Sequence, residues 1–387
     1  MTLQKRLTDC IARAVEAQEV AGASVLVLRH GHEVVYAESG MADMETSRPF
    51  TRDAIGRMYS LTKPVTATAA MVLVERGQLD LCQPVADFLP GFRDQQVWTP
   101  QGLTPVQRPV TPMDLLGMTA GLCYPGEDPA GRAASGLFAQ LQEAVQAGEG
   151  IPTVELCNRM GELPLAFQPG SHFRYGTCAD VLGAVIEVVS GKPLAEFMQQ
   201  ELFDPLGMKD TAFWVPESKR GRMPRIYQHP GALIPYDRIN LGVGDYSHAP
   251  AFASGGAGLV STLDDYAALA TMLLQGGRCV SGQLLQPETV AFLTSAQLGP
   301  QPQADVWNSL DGFSYGKLMR VMQQPGRYPG LSRMGEYGWD GWLGCYFANF
   351  PQEDMTILMM AQRTDLGTGP LTRRRRNLIL SSEEARA

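Results

Sequence analysis

Strand-like runs lie close to both ends of this chain, while the middle has the composition of helices and loops. Residues 23–28 and 33–39 flank His30-Gly31-His32, a polar turn with glycine that is typical of a hairpin. Near the other end, residues 342–350 and 355–361 are separated by Pro351-Gln352-Glu353-Asp354, which has turn chemistry. This arrangement predicts an α+β fold, in which strands from both termini form one antiparallel sheet covered by helices.

The length of 387 residues predicts two lobes. Prolines break the chain into short segments between residues 84 and 112, and residues 130–146 have helical composition. We therefore predict a mainly helical lobe over residues 81–251, inserted into an α/β lobe made of residues 1–80 and 252–387. An active site would lie in the cleft between the two lobes.

A Ser-x-x-Lys tetrad, Ser60-Leu61-Thr62-Lys63, opens a segment of helical composition that continues to residue 75. A spacing of three residues on a helix places hydroxyl and amine on one face, within reach of each other. Pro64 suits a first helical turn, and Gly77 is a typical residue after a helix end. The Ser60 N–H would point out unpaired, towards a developing negative charge. The tetrad thus predicts a nucleophile, a base and half of an oxyanion hole.

A second tetrad, Ser314-Tyr315-Gly316-Lys317, shows that the spacing alone is weak support for catalysis. It contains a glycine and no helical pattern follows it, so we predict the edge of a strand there. The sequence has no G-x-S-x-G motif, which argues against an α/β-hydrolase. Its five histidines are dispersed without zinc spacing, and we predict neither a metal nor a cofactor.

Charge and cysteine usage narrow the class of protein. A formal net charge of −8 argues against a nucleic-acid partner, and the run Arg373-Arg374-Arg375-Arg376 is predicted to be a solvated helix face. The first 18 residues form an amphipathic pattern with charges throughout, unlike a signal peptide, and no apolar run is long enough to span a membrane. Seven scattered cysteines without C-x-x-C spacing favour a reduced, cytoplasmic protein.

Five ordered motifs extend over most of the chain and resemble the serine β-lactamase and penicillin-binding-protein superfamily. They are Ser60-Leu61-Thr62-Lys63-Pro64, Leu115-Leu116-Gly117-Met118-Thr119-Ala120-Gly121-Leu122, Phe167-x-Pro169-Gly170-x-x-Phe173-x-Tyr175, Pro205-Leu206-Gly207-Met208 and Ser254-Gly255-Gly256-Ala257-Gly258-Leu259. Within the superfamily, the chain is most similar to class C β-lactamase-like esterases, the family VIII carboxylesterases. The resemblance implies a two-lobed sandwich of the β-lactamase/transpeptidase type, with Ser60 acylated, Lys63 as its base and Tyr175 as a second base.

The stretch Tyr337-Gly338-Trp339-Asp340-Gly341-Trp342 corresponds to the third motif of the family, normally Lys-Thr-Gly on a strand. By this resemblance, Gly341 would let the strand pass close to substrate, and the Trp342 N–H would complete an oxyanion hole with the Ser60 N–H. Together with Tyr124, the residues Trp339, Gly341 and Trp342 are the predicted substrate-binding residues.

Three departures from the family pattern bear on the substrate. Trp339 takes the place of the lysine that would hold the carboxylate of a penicillin or a D-Ala-D-Ala peptide, which favours neutral esters. Tyr175-Gly176-Thr177 lacks the usual amide, and Met118-Thr119-Ala120 replaces His-Thr-Ser. The sequence therefore predicts a serine carboxylesterase for small, short-acyl esters. An acyltransferase, a weak β-lactamase or D-amino-acid peptidase, and an inactive binding module remain as alternatives, and the oligomeric state stays open.

Overall fold

A central antiparallel sheet organises the fold in the computed structural model, which describes residues 1–385. In chain order, the strands of this part are β1 (Gly22–Arg29), β2 (His32–Asp43), β3 (Arg48–Pro49), β4 (Gly56–Arg57), β5 (Gln96–Thr99), β6 (Gly102–Pro105), β7 (Tyr227–Gln228), β8 (Ile234–Pro235), β9 (Val260–Ser261), β10 (Arg278–Cys279), β11 (Gly282–Gln283), β12 (Phe313–Tyr315), β13 (Arg320–Met322), β14 (Tyr337–Asp340), β15 (Tyr346–Phe350) and β16 (Met355–Ala361).

Eight of these strands form the large sheet, in the order β12-β13-β14-β15-β16-β1-β2-β3, and every neighbouring pair is antiparallel. The pair β16-β1 joins the two ends of the chain, because β1 lies against β16 from Ala23 opposite Ala361 to Arg29 opposite Met355. The predicted single sheet built from both termini is therefore present. The remaining described strands pair as β4-β9, β5-β6, β7-β8 and β10-β11.

Helices cover both faces of the sheet. Between residues 1 and 385 they are α1 (Leu3–Glu16), α2 (Thr62–Glu75), α3 (Pro112–Gly117), α4 (Pro129–Gln146), α5 (Thr153–Gly161), α6 (Cys178–Ser190), α7 (Leu194–Met198), α8 (Asp204–Leu206), α9 (Glu217–Arg220), α10 (Leu263–Leu274), α11 (Pro287–Leu293), α12 (Pro300–Ala304) and α13 (Pro370–Leu380). In this part of the chain, no helix combines the length and apolar character needed to cross a membrane.

Successive side chains of a strand point to opposite faces of the sheet, so one sheet contributes residues to two hydrophobic cores. Val25 of β1 and Ile357 of β16 pack with α1 and α13, whereas their neighbours Leu26 and Leu358 belong to the core on the other face. The core that contains Leu26 and Leu358 also includes α2, a helix whose side chains are mostly buried on every side of the helix. Such a helix holds its first turn rigidly; that turn carries Lys63, and Ser60 lies directly before it. The division into residues 1–80 with 252–387 and residues 81–251 stays a prediction.

Two sequence predictions on the strands have different outcomes. The second tetrad begins on β12, an edge strand, as predicted, and its Gly316 and Lys317 follow the end of that strand. The strand predicted from residue 342 begins only at Tyr346, so its start was wrong. Gly341 N–H donates to the Cys345 carbonyl at 2.7 Å, and Gly344 has a φ of 90°, which closes a tight turn between β14 and β15. The aromatic residue at 342 therefore lies in a turn, outside the ladder.

The prediction that the arginine run is a solvated helix face was wrong for Arg375 and Arg376, whereas Arg374 is exposed. Arg375 and Arg376 are 0% and 1% exposed, because α13 turns this side towards the sheet. Arg376 forms an ion pair with the fully buried Glu336, and Arg376 Nη2 lies 2.9 Å from Glu336 Oε2. Such a pair is compatible with burial because each charge offsets the desolvation of the other. Consecutive arginines on a helix point in different directions, which a charge run alone does not reveal.

Replacing Lys317 with methionine should stabilise the protein at neutral pH. Lys317 is 2% exposed and donates to Ser295 Oγ at 2.9 Å. Burial lowers the pKa of its amine to about 8 from a usual value of 10.5, so the protonated amine is unfavourable in the folded state. The unfolded chain then binds more protons between those two pH values, and wild-type stability should rise with pH across that interval.

We expect Lys317→Met to gain ~2 kcal/mol at pH 7 in urea unfolding. The gain should shrink as the pH rises above about 8 and disappear above about 10.5. The exposed Lys209 provides the matched control. Lys209→Met should change the free energy of unfolding only slightly, and that change should not depend on pH. A pH-independent effect of Lys317→Met would contradict this account of the buried amine.

Candidate active site

Ser60 lies in a tight turn directly before α2. Residues Tyr59–Leu61 form one turn of 3₁₀ helix, and Ser60 is partly exposed while its neighbours are buried. Tyr59 has a φ of +45°, a left-handed conformation that non-glycine residues rarely adopt. Its ring packs edge-on against Trp342, with ring centroids 5.1 Å apart. Packing thus holds a strained turn that presents the serine hydroxyl.

The amine of Lys63 is fully buried and has three oxygen partners. Its Nζ lies 3.2 Å from Ser60 Oγ, 3.1 Å from the Tyr124 hydroxyl and 2.8 Å from the Gly256 carbonyl oxygen. Three acceptors match the three protons of an ammonium group. In a neutral amine, the contact with Ser60 can reverse, so that the lone pair receives the serine proton. The arrangement can therefore serve both as an acid and as a base.

Two tyrosines surround this amine in different ways. Lys63 Nζ lies 4.6 Å from the ring centroid of Tyr175, whose hydroxyl accepts a hydrogen bond from Trp339 Nε1 at 3.1 Å. The Tyr124 hydroxyl contacts the amine itself, although the sequence placed this residue only among substrate-binding aromatics. Burial raises the pKa of Tyr124 well above its usual value, with the charge of Asp180 adding to the effect. Tyr124 is therefore a neutral hydroxyl at neutral pH.

The third motif approaches the nucleophile turn through a glycine. A Cβ atom on Gly341 would lie 2.3 Å from the Met58 carbonyl oxygen, so no larger residue fits without moving one segment. The next residue, Trp342, is anchored by its indole Nε1, which donates to Asp365 Oδ1 at 2.7 Å. Within residues 1–385, neither the Ser60 N–H nor the Trp342 N–H has a protein acceptor. Two unpaired donors thus lie on adjoining turns.

Trp339 and Asp340 leave the sheet on opposite faces. Trp339 is 4% exposed and packs against Tyr175, with ring centroids 5.6 Å apart. Asp340 points the other way and forms an ion pair with the buried Arg320 at 2.5 Å. The charge of Asp340 is therefore neutralised by Arg320. On the opposite face of the sheet, the Trp339 indole occupies the position next to Tyr175 where the family has a lysine.

Asp180 and Trp307 are two residues at this site that sequence reasoning missed. Asp180 is 2% exposed, and its Oδ1 accepts hydrogen bonds from Ser254 Oγ at 2.5 Å and from Gly256 N–H at 3.0 Å. Burial raises its pKa above the usual value, and the charge of Lys63 opposes that shift. Asp180 lies in the first turn of α6, five residues after Tyr175, but nothing in the local pattern shows that it holds the loop that contacts Lys63.

Replacing Asp180 with asparagine should lower kcat for ester hydrolysis by about tenfold and leave KM within about twofold. Ser254 and Gly256 both donate to Asp180 Oδ1, and the neutral amide oxygen of asparagine accepts hydrogen bonds more weakly than a carboxylate oxygen, so the loop and its Gly256 carbonyl would be held less firmly against Lys63. Steady-state kinetics with p-nitrophenyl acetate would measure both constants.

Asp265 offers a matched control, because it also holds a loop, accepting from Asp210 N–H at 2.7 Å and Thr211 Oγ1 at 2.9 Å. Asp265→Asn should leave kcat nearly unchanged, since its loop does not contact Lys63. An equal loss of kcat in both variants would contradict a positioning role for Asp180 and indicate general destabilisation.

Comparison with known proteins shows the family of the chain. The family model described as Beta-lactamase matches residues 7–381. The chain belongs to the beta-lactamase family. The predicted superfamily and the β-lactamase/transpeptidase-like α+β fold are thereby confirmed.

Two curated proteins and one solved structure are similar to the chain over most of its length. Esterase EstB of Burkholderia gladioli is 30% identical over 387 residues, covering 96% of this chain and 93% of EstB. Lovastatin esterase of Penicillium rubens is 30% identical over 348 residues, covering 86% of this chain and 83% of that protein. The solved structure of EstCE1, described as a hydrolase with promiscuous acyltransferase activity, superposes with a TM-score of 0.82 at 26% identity, covering 100% and 98% of the two chains.

Proposed function

We propose that the protein is a serine carboxylesterase that hydrolyses small, short-acyl esters through an acyl-enzyme on Ser60. The observation that carries the proposal is the contact of the buried Lys63 amine with the partly exposed Ser60 hydroxyl at 3.2 Å. The similarity to two esterases over most of the chain supports the same activity. The chemistry needs only groups present in the chain.

The first half of the reaction forms the acyl-enzyme. Ser60 Oγ attacks the ester carbonyl carbon while its proton passes to Lys63 Nζ, and the carbonyl oxygen becomes an oxyanion. The N–H groups of Ser60 and Trp342 stabilise that negative charge. The bond to the alcohol then breaks, and the alcohol leaves with a proton delivered through Lys63 and the Tyr175 hydroxyl.

The second half repeats these transfers with water. Water attacks the acyl carbon, its proton passes to Tyr175 and Lys63, and the carboxylic acid leaves as Ser60 Oγ recovers a proton. Trp339 donates its indole N–H to the Tyr175 oxygen, which stabilises negative charge on that oxygen when Tyr175 acts as a base.

Specificity for neutral esters follows from the side chain at position 339. The indole is nearly buried and its N–H is already bonded to Tyr175, so it offers no cation to a substrate carboxylate. Penicillins and D-Ala-D-Ala peptides carry such a carboxylate. We therefore place β-lactam and peptide hydrolysis well below ester hydrolysis, and the assembled Ser60, Lys63 and Tyr175 cluster argues against an inactive binding module.

Covalent labelling tests the proposal directly. After reaction with a fluorophosphonate probe, mass spectrometry should find one adduct on the peptide that contains Ser60, and Ser60→Ala should carry none. A chain-length series of p-nitrophenyl esters, run beside nitrocefin, should show highest turnover for short acyl chains and little for nitrocefin. Label elsewhere, or nitrocefin turnover equal to ester turnover, would refute the assignment.

Acyl transfer to an alcohol is the second candidate. It is favoured by the similarity to EstCE1, whose description includes promiscuous acyltransferase activity. The acyl-enzyme is the same, and an alcohol replaces water in the second half. Product analysis with p-nitrophenyl acetate and a competing alcohol would support transfer if the new ester exceeded free acetate.

We also propose the cytoplasm as the compartment. All seven cysteines are free and most are buried, which suits a reducing environment. Small-molecule esters are the proposed partners, and the number of subunits is left open.

A further inference from the structure

The Lys63 amine has one more oxygen partner than a neutral amine has hydrogens. Its Nζ lies 3.2 Å from Ser60 Oγ, 3.1 Å from the Tyr124 hydroxyl and 2.8 Å from the Gly256 carbonyl oxygen, and these are its hydrogen-bond partners within residues 1–385. A protonated amine donates three N–H groups and occupies all three oxygens. A neutral amine keeps two N–H groups and one lone pair, so one of the three oxygens must face the lone pair.

The partner that faces the lone pair determines whether Lys63 can act as a base. The Gly256 carbonyl oxygen only accepts hydrogen bonds, so it takes one N–H in every case. The second N–H then points either to Tyr124 or to Ser60. When it points to Tyr124, the lone pair faces Ser60 Oγ and can receive the serine proton. When it points to Ser60, the amine donates to the oxygen that it has to deprotonate.

The Tyr124 hydroxyl is suited to accept that second N–H. Burial raises the pKa of Tyr124 well above its usual value, so its contact with the amine is a hydrogen bond and not an ion pair. Tyr175 does not occupy this position. Its ring faces the amine, with Nζ 4.6 Å from the ring centroid, and its hydroxyl accepts a hydrogen bond from Trp339 at 3.1 Å.

Close packing holds Tyr124 in place independently of its hydroxyl. A Cβ atom on Gly176 would lie 2.2 Å from the Leu122 carbonyl oxygen, so the segment that leads to Tyr124 packs directly on the segment after Tyr175. The ring centroids of the two tyrosines are 5.8 Å apart. Removing the hydroxyl alone should therefore leave the Tyr124 ring where it is, and the effect of that change reports on the contact with the amine.

We propose that Tyr124 is a positioning residue, whose hydroxyl accepts one N–H of Lys63 and thereby directs the lone pair of the amine at Ser60 Oγ. The inference rests on the proposed esterase function, in which Lys63 removes the serine proton. Without the hydroxyl, the released N–H has Ser60 Oγ as its remaining acceptor, because the Gly256 carbonyl already holds the other N–H. The amine would then spend most of its time in the orientation that cannot deprotonate the serine.

The substitution Tyr124→Phe tests this inference, because it removes the hydroxyl and keeps the ring. We expect kcat for p-nitrophenyl acetate to fall by about tenfold, with KM within about twofold, since the hydroxyl acts on the amine and not on the ester. Labelling of Ser60 by a fluorophosphonate, followed over time by mass spectrometry, should slow by a similar factor, because this reaction also requires removal of the serine proton.

Tyr315 provides the matched control. It is a buried tyrosine of the same aromatic cluster, and its ring centroid lies 5.1 Å from that of Trp339. Its hydroxyl has no hydrogen-bond partner in the part of the chain that the structure describes. Tyr315→Phe should therefore keep the wild-type kcat, KM and labelling rate. An equal loss of activity in both variants would overturn the inference.

The kinetic constants separate this role from two others. A raised KM with unchanged kcat in Tyr124→Phe would make Tyr124 a substrate-binding residue and overturn the inference. Activity above that of the wild type would show that Tyr124 donates its own proton to the lone pair, which would also overturn it.

Ser60→Ala distinguishes failure of the inference from failure of the proposed function. If Ser60→Ala is inactive while Tyr124→Phe matches the wild type in kcat and labelling rate, the inference is overturned and the esterase function stands. Wild-type hydrolysis in Ser60→Ala would refute the esterase function. The labelling rates then decide the inference: slower labelling in Tyr124→Phe would support it, and an unchanged rate, or no label on Ser60 of the wild type, would overturn it.

Discussion

Replacing Lys63 with methionine should lower kcat/KM for p-nitrophenyl acetate by about 10³-fold. The amine is the group that contacts Ser60 Oγ, and methionine keeps the length of the buried side chain without a basic nitrogen. The variant would also lose the hydrogen bonds to Tyr124 and to the Gly256 carbonyl, so both should be left without a partner. Labelling of Ser60 by a fluorophosphonate should slow by a comparable factor.

The second tetrad supplies a matched control for this experiment. Lys317 is also a buried lysine three residues after a serine, yet its amine contacts Ser295, in the loop after α11. Lys317→Met should keep wild-type kcat/KM. If both lysine variants lost activity equally, or Lys63→Met retained it, Lys63 would not be the base.

Replacing Gly341 with alanine should lower kcat by about 10²-fold with a smaller change in KM. The added Cβ would lie 2.3 Å from the Met58 carbonyl oxygen, which forces the turn of Trp342 away from the turn of Ser60. A displaced Trp342 N–H no longer stabilises the oxyanion in the transition state, whereas ground-state binding of the ester changes less. Steady-state kinetics and thermal unfolding should be measured on the same preparation.

Gly136 in α4 serves as the control, because a Cβ added there would meet no atom within 4 Å. Gly136→Ala should keep full activity and be slightly more stable, as alanine favours a helix. Full activity in Gly341→Ala would refute the proposed oxyanion hole at Trp342. A large loss of thermal stability in Gly341→Ala without a specific loss of kcat would assign Gly341 a purely structural role.

Local sequence patterns predicted a helix well where a segment of helical composition is followed by a glycine that marks its end. The helical segment predicted to continue to residue 75 ends at Glu75, and Gly77, which the sequence placed after the helix end, has a φ of 65°. The error at residue 342 has a different origin. Aromatic and apolar residues continue on both sides of the turn after Gly341, so Gly344 was the one sign in the composition that the strand was interrupted.

Sequence patterns could not predict contacts between segments that are distant in the chain. Asp180 holds a loop more than seventy residues away, and Trp307 contacts Tyr175 from a segment that showed no motif. The buried Arg376 was misplaced because its partner Glu336 lies forty residues earlier in the chain. Each of these interactions depends on which elements pack together, and no periodicity or spacing encodes that.

The sequence by itself determined the chemistry of the site: a serine and a lysine at helical spacing, with motifs that identify the superfamily. Helical geometry sets the distance between Ser60 and Lys63 locally, so it can be read from the chain. Only the tertiary structure decided that Tyr124 bonds the amine, that Trp339 bonds Tyr175, and that Gly341 meets the nucleophile turn. Those contacts join residues that are far apart in the chain, and packing of the sheet against α2 and α6 alone brings them within bonding distance.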